Sequence, residues 1–98
     1  MINYENIKFP EHISWTKLNN RVFVFNEITN DVYMLKGIQK DVWLFIEQKY
    51  DFNKILHELS EKYDIELHKV QDKLIKIIES YLSKNILEGT IDEKSNNI

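Results

Sequence analysis

At Gly37 the spacing of apolar residues changes period, and that switch divides the chain into a strand half and a helix half. Before it, Ile13 and Trp15 alternate with polar neighbours across residues 12–17, a period of two that puts both on one face of a first strand. Asn19-Asn20 then supplies a turn. Arg21-Val22-Phe23-Val24-Phe25 is β-branched and aromatic, and Val32-Tyr33-Met34-Leu35 repeats that character after a polar break over 26–31. Beyond Gly37, Ile38, Val42, Phe45 and Ile46 recur at i, i+4, i+7 and i+8, which is the stripe of a helix. Asp51 is placed to cap a second helix whose stripe is Phe52, Ile55, Leu56, Leu59 and Tyr63. A third and longest helix is expected from about Glu66 to Lys84, with a wide apolar arc running from Leu67 through Val70, Leu74, Ile78 and Leu82. Asn85 tolerates the left-handed conformation that would end it. The reading is α+β: a three-stranded antiparallel β-meander followed by three α-helices.

Residues 1–11, with the only proline at Pro10, are expected to be a lead-in with little structure of its own; residues 12–88 form the domain, and 89–98 are polar enough for a flexible tail. The middle and last strands are apolar on both faces, since Val22 and Val24 point one way and Phe23 and Phe25 the other. Helices can cover one face. The other calls for the lead-in folded back, a partner or a second subunit, so the pattern permits a dimer.

Several function classes are excluded or left without residues. A length of 98 residues fits one domain with a modest core. The absence of cysteine removes thiolate catalysis, Cys-ligated zinc and iron–sulfur clusters, and two glycines leave little for a phosphate-cradling loop. The longest apolar run, residues 42–46, is far short of the ~20 residues that cross a bilayer. The first residues lack a secretory pattern, so the expected location is the cytoplasm, with no membrane partner. A net charge of −3 argues against nucleic acid as the partner. His57 and Glu61 share a helix face at i, i+4, but a metalloprotease would need His at the second position and no third ligand is at hand. No catalytic set and no cofactor or metal site is assigned.

The third helix carries its cations in one sector. Lys69, Lys73 and Lys76 fall close together at ~100° per residue, bordering the arc at Ile77 and Tyr81. Asp72 and Glu79 occupy the opposite border. A charged helix face is ordinarily a solvated one, and it acquires a role if it borders a groove. Trp15 and Trp43 read as core or rim packing residues.

The run from Arg21 to Glu88 resembles the PqqD-like family, the recognition elements of ribosomally synthesised and modified peptide pathways. The resemblance lies in the apolar-Leu step Val32-Tyr33-Met34-Leu35, the pair Val42-Trp43 on the following helix, the second helix from Asp51 to Tyr63, and the long third helix ending in Asn85-Ile86-Leu87. Lys36 stands where the family often has Asn, and Asn85 where it often has Gly. The resemblance implies a winged-helix-like domain whose third strand pairs with the leader of a precursor peptide while the third helix walls the groove. Carried onto this chain, the pairing strand is Asp31, Val32, Tyr33, Met34 and Leu35. The wall is Lys69, Lys73, Lys76, Ile77 and Tyr81 if the basic flank faces the groove, and Asp72, Ile75 and Glu79 if the helix is rotated the other way. The implied partners are a precursor leader peptide and a maturation enzyme, whether a radical SAM enzyme, a cyclase or a leader peptidase. The rival reading is a winged-helix DNA-binding regulator, against which stand the net acidity and the lack of Arg on the third helix.

Overall fold

The computed structural model describes residues 2–93, with side chains for residues 7–89. Strands β1 (Ile2–Lys8), β2 (Ile13–Leu18), β3 (Arg21–Asn26) and β4 (Val32–Leu35) precede helices α1 (Ile38–Glu47), α2 (Phe52–Tyr63) and α3 (Leu67–Ser83), and β5 (Glu88–Glu93) follows. β2, β3 and β4 form an antiparallel meander in that spatial order. Asn19 and Asn20 turn β2 into β3 with φ of 52° and 66°, the double left-handed geometry that twists a two-residue hairpin correctly.

Each helix starts or stops for a local reason. The Asp51 carboxylate accepts the Lys54 N–H at 2.8 Å and caps α2. Asp64 (φ 54°) and Asn85 (φ 60°) adopt the left-handed conformation after α2 and α3, which short polar side chains tolerate better than branched ones. Gly37 enters α1 at φ 61° and ψ −136°, outside the left-handed helical well that Asp64 and Asn85 occupy and a combination that strains residues with a Cβ.

The core is built from one face of the meander and the inner stripes of the helices. Val22, Val24 and Leu35 of the sheet are buried with Val42 and Trp43 of α1, Ile55, Leu56 and Leu59 of α2, and Val70, Leu74, Ile78 and Tyr81 of α3. An aromatic chain runs through it. Phe9 stacks on Trp43 with centroids 4.3 Å apart, and Trp15 and Tyr81 meet Trp43 edge-on at 6.3 and 5.5 Å. The Trp43 indole N–H is buried there with no hydrogen-bond partner among the described residues.

Two segments differ from the expectation. Residues 2–8, expected to be a lead-in with little structure, form β1, and the part of the expected tail up to Glu93 forms β5; the two pair antiparallel from Ile2↔Glu93 to Lys8↔Glu88 with a bulge between. Residues 94–98 of that tail lie outside the described residues. The reason is long-range: each strand satisfies its backbone only with the other end of the chain, so neither has a local signal beyond a weak alternation. The lead-in does fold back, but onto the helix-facing side through Phe9, and no described element covers the second face of the meander.

A buried charge cluster ties the layers together. Asp41 at the start of α1 accepts the Tyr63 hydroxyl and the Lys62 ammonium, the latter at 3.0 Å, through one oxygen, and Lys40 lies 3.5 Å from the other. Lys40 also donates to the Asn20 side chain at 2.9 Å, so the β2–β3 turn, α1 and α2 share one network. Burial alone would raise the Asp41 carboxyl, but the Tyr63 hydroxyl and the two ammonium groups outweigh it and hold it below its ordinary value. Burial and the facing carboxylate push Tyr63 up to about 12. Burial, and then the charge on Asp41, raises Tyr81 as well.

Candidate functional site

Strand β4 ends the meander, and the phase of its hydrogen bonds can be read from the turn before it. The Asn26 N–H donates to the Asp31 carbonyl at 2.9 Å, and the register pairs Val24 with Tyr33 and Val22 with Leu35. Bonded and non-bonded pairs alternate in an antiparallel ladder, so Tyr33 and Leu35 exchange bonds with β3 while Val32 and Met34 turn N–H and C=O outward. The β2–β3 ladder agrees: Glu27 N–H donates to His12 carbonyl at 2.8 Å, which assigns the odd residues of β3 to β2 and the even ones to β4. No described strand lies beyond β4.

The opposite edge is different. On β2 the Ile13 N–H is taken by the Pro10 carbonyl at 3.1 Å, and Phe9 packs edge-on against Trp15, so the lead-in runs along that side. By the same phase β2 turns Ile13, Trp15 and Lys17 outward, with the Ile13 N–H already taken within the chain, whereas β4 turns Val32 and Met34 outward on the edge next to Lys84 of α3.

One contact ties the end of α3 to the inner face of β4. The Lys84 ammonium sits 5.5 Å from the centre of the Tyr33 ring, over its face. Lys84 shares a sector of the helix with Lys73, Ile77 and Ser80, at i, i+4, i+7 and i+11 from Lys73. That contact brings the C-terminal end of the basic sector to β4, and Asp72, Ile75 and Glu79 lie on other sectors of the helix. Ile77 is half-buried at the foot of this flank, while Lys69, Lys73 and Lys76 are exposed along it.

The structure distributes the residues expected at the site unevenly. Val32 and Met34 are exposed on the β4 edge, and Tyr33 is half-buried on the helix side. Leu35 belongs to the core at 3% exposure and can contribute only backbone. Asp31 lies before β4 and is held by the turn, its N–H and carboxylate both bonded to the Thr29 hydroxyl. Tyr81 is 1% exposed and donates its hydroxyl to the Gln39 carbonyl, so it supports the groove from beneath instead of lining it. Lys84 and Ser80 were not among the expected wall residues, although Lys84 continues the basic sector by one more repeat.

The outer face of the sheet adds a feature beside this edge. Phe25 is 36% exposed, Met34 45% and Val32 62%, and the register sets Phe25 directly across from Val32 and Phe23 across from Met34. A bare apolar stripe thus runs to the free edge.

The fold is winged-helix-like and α+β, a three-stranded antiparallel sheet backed by three helices. The solved structure of TbiB1 in complex with the TbiA(beta) leader peptide has this fold: the two chains match with a TM-score of 0.81 at 18% identity, over 87% of this chain and 99% of TbiB1. No family model matches the sequence, and no curated protein matches it. Among the described residues no helix is long and apolar enough to cross a membrane.

Proposed function

We propose that this protein is a recognition element for ribosomally made precursor peptides, of the PqqD-like kind. It binds the leader by adding it as a strand to β4 and presents the attached core region to a modifying enzyme or leader peptidase in the cytoplasm. The observation that carries the reading is the open β4 edge, where Val32 and Met34 turn backbone groups outward with Lys84 of the third helix beside Tyr33. An extended peptide satisfies those groups, and its alternate side chains meet the surfaces on either side. The likeness to TbiB1, whose structure is in complex with a leader peptide, supports leader binding. The protein itself carries out no chemistry in this reading. Its contribution is local concentration, because a tethered core peptide meets the enzyme as an intramolecular partner.

The test is a parallel titration at physiological salt of labelled leaders from short open reading frames beside the gene and of a random DNA duplex. The expected result is leader binding with amide shifts at Val32, Met34 and the basic flank of α3. Selective duplex binding with no leader binding would hand the site to the DNA-binding reading, in which α3 enters the major groove.

A further inference from the structure

A strand added at β4 has its two faces in unlike surroundings, and the register says which residue meets which. Val32 and Met34 are the residues that bond to the incoming strand, so the peptide residues directly across from them share their face of the sheet, whether pairing is parallel or antiparallel. That is the outer face, where Phe25, Val32 and Met34 already form an exposed apolar stripe. The peptide residues between those positions share the face of Tyr33 and point toward α3. There Lys84 lies over the Tyr33 ring, and Lys73 follows on the same sector three turns back, about 16 Å along the helix axis. Neither ammonium is in an ion pair among the described residues.

We infer that the peptide segment taken by β4 is an amphipathic strand of alternating chemistry, apolar on the outward positions and acidic on the positions facing Lys84 and Lys73. This rests on the strand-addition reading and goes beyond it by fixing the ligand's pattern. The apolar residues extend the Phe25–Val32–Met34 stripe by one strand and shield one another from water, as cross-strand neighbours do. The carboxylates meet two ammonium groups that have no ion-pair partner among the described residues, one of which lies over a ring. A basic strand would place like charges side by side on the inner face. A uniformly polar strand would leave the outer stripe bare.

The experiment is selection of random twelve-residue peptides, displayed on their own messages, against the full chain, with winners synthesised and mapped by amide shifts. The expected result is winners that shift Val32 and Met34 and show a two-residue alternation of aliphatic or aromatic with Asp or Glu. The chain carrying both Lys73→Glu and Lys84→Glu should bind those winners about tenfold more weakly and select basic residues at the same positions. Winners that map to β4 without the alternation, or with Lys and Arg on the inner positions, overturn this inference and leave strand addition standing. So does unchanged affinity in the doubly reversed chain. If no winner moves the β4 amides, both the inference and strand addition fall.

Discussion

Strand β3 offers Val22 and Val24 to one side of the meander and Phe23 and Phe25 to the other, all apolar, yet the two sides have opposite fates. On the helix side both valines are fully buried beneath α1, α2 and α3, and even the charges there are tied into a network through Asp41. On the far side Phe25 remains 36% exposed and its neighbours Val32 and Met34 more so. What separates them is topology. Every helix follows β4 and packs on one face, and the lead-in that could have covered the other is drawn to Trp43 by a ring stack. Apolar alternation alone specifies a sheet with two faces to bury; it does not say which will be buried by the helices and which will be left open.

The sharpest way to break the contrast is to remove an aromatic ring from each side. Trp43→Ala should cost roughly 3–5 kcal/mol in urea unfolding, because it opens a large cavity where Phe9, Trp15 and Tyr81 meet. Phe25→Ala should stay within about 0.5 kcal/mol while weakening peptide binding. Equal losses at the two sites would mean the outer face is covered in solution.

Next in size is a proline pair on β4. Tyr33→Pro removes an N–H that serves β3 and should cost about 2 kcal/mol or more of stability. Met34→Pro removes an outward N–H, leaves the circular dichroism of a folded domain, and abolishes most of the peptide affinity. The reverse ranking would show that the hydrogen-bond phase assigned to β4 is wrong.

A smaller effect sharpens the polar part of the covered side. Tyr63 is raised in the folded protein from an ordinary 10.0 to about 12, so its contribution is whole below pH 10 and is lost as pH climbs toward 12. Asp41 is lowered from 3.8, so its contribution is whole above that value and is lost as pH falls through the lower folded one. Urea midpoints measured across pH should fall at both limbs, and Tyr63→Phe should flatten the alkaline limb at a cost of about 1 kcal/mol near neutrality. The smallest expected change is on the groove wall: Lys73→Glu should weaken an acidic peptide about threefold, less at high salt, with no change in folding.

Much of the covered side was legible beforehand because its signals are local. Asp51 as a cap, Asn85 as a left-handed stop and the i, i+4 stripes of the helices depend only on neighbours in sequence. The β4 edge was legible for a similar reason, as the last strand before a run of helices. The flank of α3 beside it was not, since a helical wheel gives the basic and acidic borders equal standing until Lys84 is seen over Tyr33. Tyr81, expected on the wall, lies beneath it, because a tyrosine on the border of an arc can point either way and here its hydroxyl reaches the Gln39 carbonyl on α1. The Lys40–Asp41 pair gave no warning of its burial, which depends on Asn20, Lys62 and Tyr63 arriving from elsewhere in the chain.

The ribbon of β1 and β5 has a kinetic consequence. Ile2 finds Glu93 across nearly the whole chain, so forming that pair from an open coil would require closing the longest loop the molecule has. Once Phe9 has docked on Trp43 and Leu87 is buried, only a few residues remain on each side, and closure becomes a short zipping step. The ends should therefore join last in folding and open first in the native state, exchanging their amide hydrogens through fraying while Val22 and Val24 exchange only through global unfolding.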